Sequence, residues 1–316
     1  MITALTNLPS FLKERKQLID SSLRVFLPAY LKGPDFLTRA VEYSLFSEAK
    51  RFRPILTLAA AEINGCPPQK VLPAACAIEL IHTYSLIHDD LPAMDNDDFR
   101  RGKPSSHKAF GEGIAILAGD ALLTCAFGLL ADNAAVKDIP ARSALRVIQL
   151  LATKAGAGGM IAGQAVEIIE TQRVKTPKRP SAESLEHSVD DAVPILESKT
   201  GQNQLLDFIY LNKTAALISA SAETGGILSG ASREQVEALR IFGANLGFAF
   251  QIKDDLMDHQ KDASGALTYP QLYGFAQSRR KAEEKIAQAK DILRKRYEGR
   301  ADLLCALADY VLERSE

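Results

Sequence analysis

Long apolar segments with helical spacing constrain the fold of this chain more than any other feature. They cover residues 36–45, 74–88, 114–130, 215–228 and 236–258. Apolar residues recur every three to four positions, and in several segments they occupy nearly every face. A helix that is apolar all round must be enclosed by other helices. No segment shows the alternation of a half-buried strand, so the pattern predicts an all-α fold with helices buried at its centre.

Composition limits the partners and the compartment. The 316 residues are 47% hydrophobic and 24% charged, with a net charge of -1, which gives no reason to expect nucleic acid or an anionic membrane as the main partner. The four cysteines lack the close paired spacing of a zinc site or a disulfide framework. Residues 1–17 lack the pattern of a secretory signal, and Asp120 interrupts the most apolar segment. We therefore expect a cytoplasmic protein without stable membrane insertion.

One stretch differs in character from its surroundings. Residues 170–202 are rich in charge, proline and serine. Buried-helix patterns resume on both sides of this stretch, which favours an exposed insertion over a domain boundary.

Two aspartate clusters follow apolar helical sequence in the same way. SLIHDDLPAMD covers residues 85–95, and AFQIKDDLMD covers residues 249–258. An acidic cluster is most often a solvated surface, but two in matching apolar settings indicate a shared role. Asp254 and Asp258 stand four apart on one helical face, where they repel each other unless a cation lies between them. Carboxylates without a histidine or cysteine pattern suit Mg²⁺, which completes its shell with water and substrate phosphates.

The first cluster departs from helical spacing. Asp89 and Asp95 are six residues apart, and an uninterrupted helix would place them on different faces. Pro92 lacks a backbone N–H, so the helix is expected to kink or end there and let Asp95 turn back. Asp97 and Asp98 are expected to face solvent or to cap the next segment.

Cationic residues stand beside the first cluster and before another helix. Arg100 and Arg101 follow the aspartates, and Lys50, Arg51 and Arg53 precede or begin a helix near Pro54. Arginine binds two phosphate oxygens with its planar fork. These cations could simply balance nearby carboxylates, but together with two acidic clusters they indicate a diphosphate site.

In these motifs the chain resembles the trans-isoprenyl diphosphate synthases, and the short-chain bacterial farnesyl diphosphate synthases in particular. IHTYSLIHDDLPAMDNDDFRRG is similar to the first aspartate-rich motif of that family, and GFAFQIKDDLMD is similar to the second. Further matches are KRFRP, ILAGDALL, GMIAGQ, LNKTAALI and ADYVLER. The likeness extends over nearly the whole chain outside residues 170–202.

The resemblance implies one all-α domain, residues 1–316, that forms a bundle of long helices around a deep central cavity and pairs as a homodimer. It implies a prenyltransferase that condenses isopentenyl diphosphate with dimethylallyl or geranyl diphosphate to give farnesyl diphosphate and pyrophosphate. Its cofactor would be Mg²⁺, as three ions, with Mn²⁺ as a substitute.

The resemblance also implies roles for individual residues. Asp89, Asp95 and Asp254 would hold Mg²⁺, with Asp90, Asp255 and Asp258 as further ligands or as their support. The allylic diphosphate would contact Arg100, Lys213, Thr214 and Gln251. Isopentenyl diphosphate would contact Lys50, Arg53, His82 and Arg101. Tyr84 lies five residues before Asp89, about 7.5 Å along a helix, and would either limit product length or be an ordinary core tyrosine.

Three departures and several alternatives accompany this interpretation. Glu48 and Ala49 stand where the family usually has two glycines, Ala266 stands in place of a lysine, and Glu167 in place of an aspartate. A geranylgeranyl or geranyl diphosphate synthase would fit the same motifs. A terpene cyclase would not need the second aspartate motif, and a non-catalytic subunit of a prenyl synthase commonly lacks aspartates that are present here.

Overall fold

The computed structural model describes residues 8–175, 199–258 and 267–314, with side chains for all of these except 173–175, 199, 200 and 258. The predicted all-α fold is confirmed. The helices are α1 (Leu8–Tyr30), α2 (Asp35–Leu45), α3 (Phe52–Glu62), α4 (Leu72–Asp89), α5 (Ser106–Phe110), α6 (Glu112–Asp132), α7 (Ala141–Ala155), α8 (Met160–Lys175), α9 (Lys199–Ile209), α10 (Ala216–Leu228), α11 (Arg233–Asp258), α12 (Tyr269–Tyr273), α13 (Phe275–Tyr297) and α14 (Asp302–Glu313).

Short irregular elements join some of these helices. Single 3₁₀ turns cover Pro68–Val71 and Asn133–Ala135, and a π-helical turn, Tyr210–Ala215, joins α9 to α10. Strands β1 (Phe99–Arg100) and β2 (Lys103–Pro104) pair as an antiparallel hairpin just after the first aspartate cluster. Such short pairings were not expected from the sequence, and they arise where the chain turns back after the end of α4.

Two central helices are enclosed as their sequences predict. Every residue of α10 is buried, and α4 is buried along most of its length. Small residues let α10 approach α3 closely: a Cβ atom added to Gly225 would lie 2.3 Å from the carbonyl oxygen of Thr57. The Thr57 hydroxyl donates to the carbonyl of Ser221 at 3.0 Å across the same contact. Close packing of this kind fixes the two helices that flank the site.

Helix α6 is less buried than its sequence suggested. Pro68–Asp89 and Glu112–Ala135 are both long and apolar enough to cross a membrane by length and composition, a test that a core helix also passes. The first is mostly enclosed by protein, but the second is less than half buried. Ile116 and Leu117 are 43% and 52% exposed. The expectation of a wholly buried helix over 114–131 is therefore wrong for one side of α6.

The predicted insertion is helical at both ends. Helix α8 continues to Lys175 and α9 begins at Lys199, so part of the stretch 170–202 belongs to regular helices, and residues 176–198 lie outside the described parts. The buried apolar side chains of the described residues form one core cluster. The organisation of residues 1–316 as a single domain stays a prediction.

A buried arginine fixes the turn that leads into α3. Arg51 is 3% exposed and has a left-handed backbone, with φ of 53°. Its guanidinium donates to Asp20 of α1 at 2.8 Å, to Glu79 of α4 at 2.6 Å and to the carbonyl of Leu45 at 2.6 Å. Removing one partner from such a buried pair costs about 3–5 kcal/mol, because the other charge is left unpaired. Arg51 thus joins α1, α4 and the turn before Arg53.

Candidate active site

The two aspartate clusters meet at one large cavity. The cavity has a volume of about 740 Å³ and lies between α4, α8, the π turn and α11. The predicted site residues that line it are Arg53, His82, Tyr84, Asp89, Asp95, Arg100, Arg101, Lys213, Thr214, Gln251 and Asp254. Residues from distant parts of the sequence therefore come together as the resemblance implied.

The end of α4 places the carboxylates of the first cluster. The helix ends at Asp89, and Pro92 follows in a turn, as predicted. The backbone N–H of Asp95 donates to the carbonyl of Asp89 at 2.9 Å, which folds the chain back. Asp97 and Asp98 are exposed, as expected, and Asp98 pairs with Lys108.

Asp90 faces away from the large cavity. It is 3% exposed and lines a small separate pocket beside α2 and the hairpin. Its carboxylate accepts two hydrogen bonds from Arg100, one of them at 2.8 Å from Nε. Arg100 also donates to Asp97 at 3.2 Å. Asp90 was predicted as a metal ligand or its support, and the structure places it where it can orient Arg100.

The three aspartates of the second cluster have different surroundings. Asp254 lines the cavity, has a side chain 31% exposed and accepts a hydrogen bond from Arg314 at 2.5 Å. Asp255 is 8% exposed and accepts hydrogen bonds from the Tyr210 hydroxyl and, at 2.9 Å, from the Gln251 amide. Asp258 is the last residue of α11, and its side chain lies outside the described part. Of the two described side chains, Asp254 is the one that faces the large cavity.

The π turn carries Lys213 and Thr214 to the cavity wall. A π turn opens the helix by one residue and is frequent at functional sites. Gly163 of α8 allows this turn to pack closely, because an added Cβ would lie 2.2 Å from the Lys213 backbone nitrogen. The Lys213 ammonium pairs with Glu167, and the Thr214 hydroxyl donates to Gln251 at 2.6 Å. Glu167, a departure from the family pattern, thus holds the lysine it faces.

A second group of cationic residues also lines the cavity. Among the described residues, these do not pair with a carboxylate as Lys213 pairs with Glu167. Nη1 of Arg53 lies 3.2 Å from Nε2 of His82, and Nε of Arg53 is buried without a hydrogen-bond partner among the described residues. Burial lowers the pKa of Arg53 to about 10, and it lowers the pKa of His82 well below the usual range, helped by Arg53 and Arg101. A neutral His82 beside two guanidinium groups suits an incoming anion.

The residues just before α3 differ in their exposure to solvent. Lys50 and Glu48 are exposed, whereas Ala49 is buried. Lys50 does not line the large cavity, so its predicted contact with isopentenyl diphosphate needs a movement of the side chain or the turn. Glu48 points to solvent, so its carboxylate does not repel a diphosphate bound in the cavity. Ala266 lies outside the described residues.

Tyr84 lies within the cavity wall, and its role in limiting product length stays a prediction. It is 6% exposed, and its ring packs edge-on against His88 with centroids 5.7 Å apart. Gly119 of α6 leaves room for the imidazole, since an added Cβ would lie 2.2 Å from His88 Nε2. Met160 of α8 also lines this cavity.

Several residues of the site were missed in the sequence. Gln164 is buried, lines the cavity and has an amide nitrogen without a partner among the described residues. Tyr210 and Arg314 contact the second aspartate cluster. Gln164 could have been found from its place in GMIAGQ and Arg314 from its place at the end of ADYVLER, whereas Tyr210 lies outside the matching motifs and its partner is distant in the sequence.

The donor set of the cavity fits Mg²⁺. Asp89, Asp95 and Asp254 offer oxygen ligands only, the kind that hard cations prefer. Among the described side chains, no three histidine, cysteine or acidic residues converge closely enough to hold a metal by themselves. Mg²⁺ typically takes one or two carboxylates and completes its octahedron with water and phosphate oxygens, so this arrangement suits a metal bound together with a diphosphate.

Comparison with known proteins identifies the family. The family model of the polyprenyl synthetases matches residues 34–268. The chain belongs to the polyprenyl synthetase family. It is therefore a prenyltransferase, and the resemblance found in its motifs is confirmed.

Relatives of this prenyltransferase make products of different length, according to their names. The chain is 39% identical to the farnesyl diphosphate synthase of Geobacillus stearothermophilus over 96% of its length and 95% of the relative. It is 36% identical to the geranylgeranyl diphosphate synthase of Cyanophora paradoxa, over 98% and 97%. Its fold matches a geranyltransferase from Legionella pneumophila with a TM-score of 0.82 and 30% identity, over 99% of both chains.

The carboxylate of Asp89, which is partly buried, has a raised pKa in this prenyltransferase. Burial raises the pKa of Asp89 to about 7; Asp95 and Glu167 raise it further, whereas Lys213 opposes the rise. An unfolded aspartate has a pKa of about 3.9, so the folded state holds this proton more tightly. The free energy of unfolding therefore falls as the pH rises from about 4 to about 7, and the cost persists above that range.

We predict that Asp89→Asn stabilises the metal-free protein at pH 8. The change removes a buried negative charge, and the midpoint of thermal unfolding should rise by about 2 °C or more in the presence of a chelator. At pH 4 the wild-type carboxyl is protonated and resembles the amide, so the difference should vanish.

The exposed carboxylate of Asp120 on α6 provides the matched control. Asp120→Asn should shift the midpoint by much less at either pH. An Asp89→Asn protein no more stable than wild type at pH 8 would contradict the burial of charge at the end of α4.

Proposed function

We propose that this prenyltransferase condenses isopentenyl diphosphate with dimethylallyl or geranyl diphosphate to give farnesyl diphosphate and pyrophosphate. One observation carries the proposal: a single cavity is lined by carboxylates from both aspartate clusters and by two separate groups of cationic residues. Two diphosphates, each bound by one of these groups, would account for both groups of cationic residues. A geranylgeranyl or geranyl product would use the same site.

The first step breaks the bond between the allylic carbon and its diphosphate oxygen. Mg²⁺, when bound by Asp89, Asp95 and Asp254, would supply positive charge to the departing diphosphate. Lys213 and Arg100 would contact the same diphosphate, since both line the cavity beside these aspartates. Preorganised charges of this kind stabilise the leaving group without reorganisation during the step.

The second step forms a carbon–carbon bond and releases a proton. Arg53, Arg101 and neutral His82 would hold isopentenyl diphosphate so that its double bond faces the allylic cation. The double bond supplies the electron pair for the new bond, and loss of a proton restores a double bond in the product. Apolar residues such as Met160 and Ile168 also line the cavity and would keep water from the cation.

A product assay tests the proposed reaction. The protein is incubated with Mg²⁺, labelled isopentenyl diphosphate and either dimethylallyl or geranyl diphosphate, and products are separated by chain length. We predict a fifteen-carbon diphosphate as the main product. Asp254→Asn should abolish most turnover and change the thermal midpoint little, because asparagine keeps a side-chain oxygen that can accept the hydrogen bond from Arg314.

Other outcomes of this assay would select other functions. No condensation with either allylic starter would reject the proposal and favour a non-catalytic subunit. Consumption of an allylic diphosphate alone, with release of a hydrocarbon, would favour a cyclase.

Product length should depend on the bulk of Tyr84. Growth of the hydrocarbon along α4, away from Asp89, would bring its end to this ring. We predict that Tyr84→Ala shifts the main product from fifteen carbons to twenty or more, measured by the same separation.

Tyr84→Phe is the matched control, because it keeps the ring and removes only the hydroxyl. Its product should remain at fifteen carbons. An unchanged product distribution in Tyr84→Ala would assign Tyr84 to the core rather than to the cavity floor.

We also propose a cytoplasmic homodimer in which the exposed side of α6 contacts a second copy. Ile116 and Leu117 expose apolar surface on a helix that is apolar nearly all round.

Sedimentation velocity should report a dimer, and Leu117→Glu should shift it towards monomer. Val25→Glu, at an exposed apolar position of α1, is the control and should leave the mass measured by sedimentation at that of a dimer. A wild-type protein that sediments as a monomer would reject the proposed dimer.

A further inference from the structure

Tyr210 lies where three segments of the chain meet beside the cavity. It is 3% exposed and begins the π turn that carries Lys213. Its hydroxyl donates to Asp255 of α11 and accepts the backbone N–H of Tyr269, the first residue of α12, at 3.1 Å. One buried oxygen atom therefore links the π turn, the second aspartate cluster and the start of α12.

The hydrogen bonds continue from Asp255 to the cavity wall. Asp255 accepts the Gln251 amide at 2.9 Å, and the Gln251 carbonyl oxygen accepts the Thr214 hydroxyl at 2.6 Å. A carboxylate only accepts hydrogen bonds, so Asp255 fixes which end of the Gln251 amide faces it. The amide carbonyl is thereby left to receive the Thr214 hydroxyl. Each member of the series determines the orientation of the next.

Packing holds the Tyr210 ring independently of its hydroxyl. Its centroid lies 5.5 Å from that of Phe248 and 5.3 Å from that of Tyr269, and these two rings lie 5.6 Å apart. Aromatic pairs at such distances are stabilising beyond the area they bury. Removing the hydroxyl alone should thus leave the ring in place and release Asp255 together with the backbone N–H of Tyr269.

We propose that Tyr210 is a positioning residue for the allylic diphosphate: through Asp255 it fixes the orientation of Gln251 and Thr214 at the cavity wall. The inference rests on the proposed function, and it adds a residue that acts on the diphosphate site through Asp255. Gln251 and Thr214 both line the large cavity with Asp254, whereas Tyr210 and Asp255 line only an adjoining pocket of about 400 Å³ that shares these three residues. Asp255 serves in this account as the acceptor that orients Gln251.

Binding of inorganic pyrophosphate in excess Mg²⁺, measured by isothermal titration calorimetry on the full chain, tests the role directly. Tyr210→Phe should weaken this binding by about tenfold, as expected when a supporting hydrogen bond behind a ligand shell is lost. In the condensation assay, the KM for the allylic diphosphate should rise by a similar factor, while the KM for isopentenyl diphosphate should stay within about twofold of wild type.

Tyr269→Phe is the matched control. Its hydroxyl also donates to a carboxylate, that of Asp207 at 2.6 Å, and its ring belongs to the same aromatic cluster. Asp207 does not line the cavity. The control therefore removes one phenol oxygen from the same cluster without touching Asp255, and pyrophosphate binding should remain at the wild-type level.

A double-mutant cycle separates positioning from general stability. Asp255→Asn should itself weaken pyrophosphate binding, and Tyr210→Phe should then add little, because the two side chains act through one contact. Equal losses in Tyr210→Phe and Tyr269→Phe, additive losses in the cycle, or unchanged binding in Tyr210→Phe would each overturn the proposal. A rise in both KM values would do the same.

The binding experiment is independent of the proposed reaction. A wild-type protein that binds pyrophosphate with Mg²⁺ but condenses neither allylic starter would reject the proposed function. Weaker binding in Tyr210→Phe would still locate a diphosphate site beside Gln251 in that case.

Discussion

Repulsion between carboxylates gathered at one cavity is the constraint on which the rest of the site depends. Asp89 at the end of α4, Asp95 in the turn that follows and Asp254 of α11 reach the same space, and burial already raises the pKa of Asp89. Such a group is stable only with positive charge nearby. Lys213 lowers the pKa of Asp89, and Arg314 binds Asp254. The surrounding helices hold these charges in place, and divalent cations can supply more.

The cations of the cavity fall into two groups with different partners. Arg100 and Lys213 each pair with a carboxylate, Asp90 and Glu167 respectively, that holds the side chain in position. Arg53 instead contacts a histidine that burial keeps neutral, and one of its nitrogens lacks a partner among the described residues. The first group is preorganised beside Asp89, Asp95 and Asp254, and the second is left to bind an anion. This difference matches a reaction in which one diphosphate leaves and the other stays.

The sequence predicted the features that depend on local pattern. Apolar periodicity indicated the buried helices, and Pro92 indicated the break that folds Asp95 back towards Asp89. Local pattern alone did not indicate which aspartate of each pair faces the cavity, because side chains from other segments decide this, and only the resemblance to the family singled out Asp89 and Asp254. Asp90 turns to Arg100 across a hairpin, and Asp255 turns to Tyr210, which is 45 residues away. The exposed side of α6 was missed for a similar reason, since composition alone does not reveal what covers a helix.

We propose that the two aspartate clusters, which meet at one cavity, bind divalent cations and a diphosphate there. A crystal grown with Mn²⁺ and inorganic pyrophosphate tests it most directly, because anomalous scattering locates each manganese ion. We expect manganese bound by Asp89 and Asp95 and a further ion bound by Asp254, with pyrophosphate oxygens shared among them. Manganese at Asp90 or Asp255, or pyrophosphate bound away from both clusters, would contradict it.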